Sequence, residues 1–274
     1  MSVTHRPADR RSVALALVRR MTAERRRLIS GFTVAAAALA AMTAALYASI
    51  GVDYASMVEE LPAAFDSMLG GADFSTAAGF LQVELFSIVA PGLVLGVAIA
   101  VGSGSLAGAE QGGRLALITT GPVKRSTVTG AALATMVVAV VAVSMGLFVG
   151  VEIGASAGGV DLATSRLAAA CVSVGLFGVA VGAISLAAGA FSGSRSIALA
   201  SGTAVAVGSY VIDAFFPLNG VLEPFAEVSL WHPYAANTPL TNGLDPRHVA
   251  IFLVVTAAAS FFGLWGFERR DLVG

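Results

Sequence analysis

Six apolar runs set the terms for what this chain can fold into. They lie at residues 28–50, 85–107, 128–151, 167–191, 197–217 and 249–267, each close to the roughly 20 residues a helix needs to cross a hydrocarbon core about 30 Å thick. Lipid offers no water to peptide N–H and C=O groups, so an open segment that crosses it must satisfy them internally as a helix. Runs this long are about twice what a membrane strand requires. The expected fold is therefore an all-α membrane protein with six transmembrane helices. Composition agrees: 57% of the 274 residues are hydrophobic and 12% charged, against about 25% charged in soluble domains. No repeat or Pro- or Ser-rich linker divides the chain. It reads as one transmembrane domain over 1–274: a basic segment (1–27), a six-span bundle (28–267) and a short tail (268–274).

Orientation follows from the flanks, because basic residues beside a span resist translocation and stay cytoplasmic. The net charge of −1 hides a strong asymmetry. Arg6, Arg10, Arg11, Arg19, Arg20, Arg25, Arg26 and Arg27 precede the first span; Arg114, Lys124 and Arg125 follow the second; Arg195 follows the fourth; Arg269 and Arg270 follow the sixth. Only Arg166 and Arg247 fall on the other side, where Asp53, Glu59, Glu60, Asp66, Asp73 and Glu84 collect. Both termini are expected in the cytoplasm. The basic start and apolar stretch resemble a signal peptide, but the stretch is long and lacks a small-residue cleavage site, so it reads as a retained first span. Lys124 is the only lysine, and Ala, Val and Gly abound, the usage of a GC-rich prokaryotic genome. The expected location is the prokaryotic plasma membrane.

Ahead of the first span, residues 12–27 can form a basic helix with Val13, Leu17 and Met21 at four-residue spacing, interrupted by Arg20. Such a helix is expected at the inner leaflet with its arginines among anionic headgroups; a plain topogenic charge cluster is the competing reading. Glycines four apart recur at Gly92/Gly96, Gly104/Gly108, Gly146/Gly150 and Gly178/Gly182. They predict close backbone approach between helices, a subunit interface included. Pro91 is expected to kink the second span. Cys171, the only cysteine, has no disulfide partner and reads as a small packing residue.

Several chemistries find no support. A phosphate loop of the GxxxxGK[ST] type needs a lysine after glycine, and Lys124 follows Val123. The run from Gly102 to Ala107 matches a relaxed GxGxxA only at the end of a span, with no strand before it. The histidines are His5, His232 and His248, and neither an HExxH pair nor a serine elbow occurs. No catalytic residue, metal site, cofactor site or nucleic-acid partner is expected. Asp213, near the outer end of span five, is an intramembrane ionisable group and hence a candidate for function; a hydrated interfacial carboxylate is the simpler reading, and more so for Glu84 and Glu152.

The informative segment is the second cytoplasmic loop. Gly112 and Gly113 allow a tight turn off span two, residues 114–120 give about two helical turns with Leu115 and Ile118 on one face, and Gly121-Pro122 ends them. A small apolar face ringed by Arg114, Lys124 and Arg125 suits a soluble partner or, failing that, the lipid interface.

Glu110, Gly113, Leu115, Leu117, Ile118, Pro122, Val123 and Arg125 together resemble the hallmark loop of ABC-2-type transporter permeases, with Arg114 in place of the customary threonine and Ala116 in place of an acidic residue. The likeness extends to the basic N-terminal helix, to Leu61-Pro62 and Gly79-Phe80-Leu81 in the first outer loop, to Pro91, to the run from Ser229 to Tyr234 ahead of Pro239-Leu240, and to the closing run from Phe267 to Leu272. The resemblance implies a six-span subunit that pairs with a second copy or a paralogue around an export path. ATP and Mg would then be bound by a separate ATP-binding subunit docked on Glu110–Arg125, and this chain would do no covalent chemistry. It also implies an outer gate formed by residues 216–246, with Asp213, Trp231 and Pro233 as candidate gate residues. A self-contained secondary transporter or channel, an intramembrane enzyme and a membrane scaffold are the alternatives. Apolar spans fit a hydrophobic cargo but do not identify one.

Overall fold

The computed structural model describes residues 10–59, 76–111 and 124–269. Every regular element among them is helical. Helix α1 (Arg10–Glu24) passes through a one-residue break at Arg25 into α2 (Arg26–Glu59). Then come α3 (Ala77–Leu81), a π-helical turn (Gln82–Phe86), α4 (Val89–Ser105), α5 (Ala107–Gln111), α6 (Arg125–Gly158), α7 (Thr164–Ser192) and α8 (Arg195–Phe215). Two 3-10 turns (Phe216–Leu218 and Glu223–Val228), α9 (His232–Ala235) and α10 (Pro239–Asn242) lead into α11 (Pro246–Arg269).

Six segments are long and apolar enough to cross a membrane: Arg26–Ser49, Ala77–Ser105, Arg125–Gly158, Thr164–Ser192, Arg195–Leu218 and Pro246–Arg269. They coincide with the six apolar runs, with two differences. Span two starts earlier, through the π turn, and span three runs on past Val151. The chain is thus a multi-pass helical membrane protein.

Spans two and four are the most deeply buried, three is next, and one, five and six flank them. Span four touches two, three, five and six; span one packs along three. The large apolar side chains left outside form lipid-directed faces, including Val34 and Met42 on α2, Val141 and Met145 on α6, and Val254 and Phe261 on α11. A water-soluble surface does not carry such a belt.

What fixes spans one and three together is a row of glycines. Gly146, Gly150, Gly154 and Gly158 stand at successive four-residue steps on α6. A Cβ at Gly146 would come within 2.6 Å of the Thr33 carbonyl oxygen, and at Gly150 and Gly154 it would overlap the carbonyls of Ala37 and Ala41. Backbone therefore lies on backbone, which in lipid replaces the hydrophobic drive that water would supply. Spans two and four do the same at Gly102, where a Cβ would meet the Gly182 carbonyl at 2.7 Å.

Span two is interrupted where the sequence expects it. Ser87 and Ile88 form a turn between the π segment and α4, just ahead of Pro91. Proline has no N–H, so it cannot serve the Phe86 carbonyl in a π register or the Ser87 carbonyl in an α register. Several hydroxyls in the spans turn back on their own helices, as Thr33 does to Ile29 O (2.9 Å) and Thr135 to Ala131 O (2.8 Å), while Ser185 crosses to Ala198 O of α8 (2.8 Å).

Candidate functional site

At the basic end of the bundle, both flanks of the informative loop are placed. Glu110 sits half-buried on α5, and Arg125 opens α6. Gly112, Gly113, Arg114, Leu115, Leu117, Ile118, Pro122 and Val123 lie outside the described residues. Arg125 crosses to the far end of the chain: its Nη1 donates to Phe267 O at 2.9 Å and to Glu268 O at 3.5 Å, and its guanidinium stands 5.6 Å from the Phe267 ring. Phe267 is buried in a cluster with Met21, Leu106, Val128, Leu186 and Ala190. The N-terminal helix, both loop flanks and the basic-side ends of spans two, three, four and six thus converge at one junction.

The N-terminal stripe is part of this junction. Met21 is buried and Leu17 packs on the same cluster, while Val13 stays half-buried. That side of α1 is turned to protein. Two of the glycines expected to admit close packing serve arginine side chains here. A Cβ at Gly104 would come within 2.7 Å of both terminal nitrogens of Arg25, and one at Gly108 within 3.4 Å of Arg195 Cδ.

Along α8, Arg195, Ser196, Leu199, Ala200, Thr203, Ala204 and Val207 line an open groove of about 740 Å³. Its lining is mainly apolar, with Ser196 and Thr203 among smaller residues and Leu199 and Val207 exposed. Arg195 makes no hydrogen bond or ion pair among the described residues.

At the opposite end, residues 216–245 fold back over the bundle. Ser229 Oγ donates to Ser209 O (2.7 Å) and accepts from the Trp231 N–H (3.0 Å), which seats Trp231 on Tyr210 and Phe177 at ring distances of 5.0 and 5.3 Å. Pro233 is buried beside it. His232 Nδ1 lies 3.2 Å from Asp213 Oδ1, so the intramembrane carboxylate has a partner. Tyr234 stacks on Phe177 and donates its hydroxyl to Phe86 O. Burial pushes its phenol pKa up from the ordinary value. The structure therefore brings Asp213, Trp231 and Pro233 into one seam through His232. Glu152 Oε1 and Gln82 Oε1 are buried with no hydrogen-bond partner among the described residues.

Sequence reasoning missed the Arg125–Phe267, Asp213–His232 and Tyr234–Phe86 contacts. Each joins residues far apart in the chain, and two of the three end on a backbone carbonyl, which leaves no trace in residue type. Among the described residues no group of three or more His, Cys, Asp or Glu converges as a metal site would require. Compared with known families and with curated proteins, the chain matches no family model and no curated relative.

Proposed function

We propose that this chain is the transmembrane permease subunit of an ATP-driven ABC-2-type exporter. It would form part of the substrate path and take its energy from a separate ATP-binding subunit. The observation that carries the reading is the segment from Glu110 to Arg125, with its paired glycines, leucine-rich run and Pro-Val-x-Arg close in the sequence, whose two flanks meet the N-terminal helix and the end of span six at the basic end of the bundle. A loop anchored on both sides to the span ends can pass a push into the membrane domain. A state-dependent interaction of this kind is what shifts a conformational equilibrium.

The remaining parts fit. The basic end, with α1, Lys124, Arg195 and Arg269, faces the cytoplasm by the positive-inside rule. The α8 face that lines the open groove, from Arg195 to Val207, is exposed and mainly apolar, and a subunit contact or a path for a hydrophobic cargo would use it. The seam of Asp213, Trp231, His232 and Pro233 closes the outer side and serves as the gate. A second copy or a paralogue completes the path, and ATP with Mg stays on the partner subunit.

Affinity purification from the native membrane in mild detergent tests the reading. An ATP-binding subunit co-purifies with the unsubstituted chain and is lost from a Leu115→Asp/Ile118→Asp variant. A folded, abundant chain that purifies alone under several solubilisation conditions contradicts it, and ion-coupled transport through Asp213 and His232 becomes the reading to pursue.

A further inference from the structure

We infer that Arg125 is a positioning residue that ties the exit of the docking loop to the inner end of span six, so that a displacement of the loop reaches the outer lid through α11. The inference rests on the permease reading and deepens it.

Peptide bonds connect the loop only to spans two and three. Span six is 142 residues away in the chain; besides the packing of Phe267 on Leu106 and Val128, the loop exit is hydrogen-bonded to it through the Arg125 side chain, by Nη1 to Phe267 O at 2.9 Å and to Glu268 O at 3.5 Å. Those carbonyls belong to the last turn of α11 among the described residues, and carbonyls at a helix end take side-chain donors. A cation at a helix C-terminus also meets the negative end of the dipole. One terminal nitrogen, Nη1, serves both carbonyls while the guanidinium carbon stands over the Phe267 ring, so hydrogen bonding and a cation–ring contact come from a single planar group.

The inner end of α11 is held firmly enough to receive a push. Phe267 is enclosed by Met21, Leu106, Val128, Leu186 and Ala190, and a Cβ at Gly266 would come within 2.6 Å of the Phe191 ring. α11 then runs 24 residues without interruption, about 36 Å at 1.5 Å per residue. Near its far end Phe252 packs on Phe177, ring centres 5.7 Å apart. Phe177 carries Trp231 at 5.3 Å and Tyr234 at 5.4 Å, the two aromatic anchors of the lid. The route from loop to lid is therefore Arg125, Phe267, α11, Phe252, Phe177, Trp231. Span five meets the same segment without Arg125: α8 packs on α4 and α5, and its Ser209 and Tyr210 touch Ser229 and Trp231.

The test uses the full chain in lipid nanodiscs with Cys171 replaced by Ala. One arm needs no partner: hydrogen exchange over residues 264–269 is expected to speed up in Arg125→Ala while residues 195–207 stay unchanged. Unchanged exchange at 264–269 overturns the clamp. In the second arm a bimane label is placed at Val254→Cys on α11 or at Val207→Cys on α8, two exposed positions, in complexes compared at equal amounts of bound ATPase. Mg-ATP is expected to shift the emission at both sites with Arg125 present, and Arg125→Ala is expected to abolish the shift at 254 and leave it at 207. A shift retained at 254, or lost at both, overturns the coupling role. If no ATPase binds the unsubstituted chain, the permease reading and the coupling role fall together, and the exchange arm alone decides whether Arg125 holds α11.

Discussion

The phenol of Tyr234 donates to the backbone carbonyl of Phe86 across 148 residues of sequence. Phe86 ends the π turn of span two, and the residue whose N–H would serve its carbonyl in that register is Pro91. A tyrosine from the segment between spans five and six thus serves the carbonyl that a proline in span two leaves without its π-register donor, which matters because an unpaired carbonyl is costly in a dry interior. Replacing Tyr234 by Phe removes the donor and little volume. The expected loss is about 1–3 kcal/mol, read as a lower melting temperature in detergent and faster exchange confined to residues 82–90.

The same hydroxyl sets a pH dependence. Burial raises the Tyr234 pKa in the folded chain, so the folded state holds its proton more tightly than the unfolded state. The contribution is complete below the unfolded value of about 10 and declines as pH rises beyond it. The unsubstituted protein should lose stability above that pH more steeply than Tyr234→Phe. Parallel curves in a pH series of thermal melts would show the phenol to be exposed.

Glycines in one helix should differ sharply in tolerance. A Cβ at Gly150 overlaps the Ala37 carbonyl, whereas at Gly130 it meets nothing within 4 Å. Gly150→Ala is expected to cost about 1–3 kcal/mol as overpacking that parts α2 from α6. Gly130→Ala should be neutral or stabilising by up to about 1 kcal/mol, from helix propensity alone. Yield and melting temperature of the two variants decide it.

The two tryptophans report on opposite environments. Trp231 is 8% exposed within the aromatic cluster and Trp265 is 43% exposed on α11, with the Arg269 guanidinium 4.2 Å above its ring. In bilayers whose acyl chains are brominated near the headgroups, Trp231→Phe should leave a strongly quenched emission and Trp265→Phe a weakly quenched one. Equal quenching would mean that the lid does not close over Trp231.

Topology can be read in intact cells. With Cys171 changed to Ala, Val221→Cys in the outer segment should react with a membrane-impermeant maleimide. Ala23→Cys in α1 should react only after permeabilisation. The reverse pattern would invert the molecule and place the basic end outside.

The spans were legible because each is a long apolar run, and the membrane makes that signal nearly unambiguous. The break at Ser87 and Ile88 was legible through Pro91. Gly146 and Gly150 announced a close approach but not its partner, because Thr33, Ala37 and Ala41 are ordinary residues for a membrane helix; Gly154 and Gly158 were missed where the apolar run was ended at Val151. Val13, Leu17 and Met21 showed a stripe, yet nothing in their spacing says whether lipid or protein covers it. Asp213 stood out as a charge in a span, while His232, its partner, sits 19 residues on in an irregular segment. Periodicity finds elements; the contacts that join them through backbone carbonyls are set by tertiary placement alone.

The stoichiometry of the complex extracted from its native membrane tests the central claim most directly, by native mass spectrometry of the tagged chain in mild detergent. The permease reading predicts two six-span chains, identical or paralogous, with two ATP-binding subunits that leave together when Leu115 and Ile118 are both changed to Asp. A complex without an ATP-binding subunit, or one whose ATPase stays bound when the loop is so altered, would contradict it.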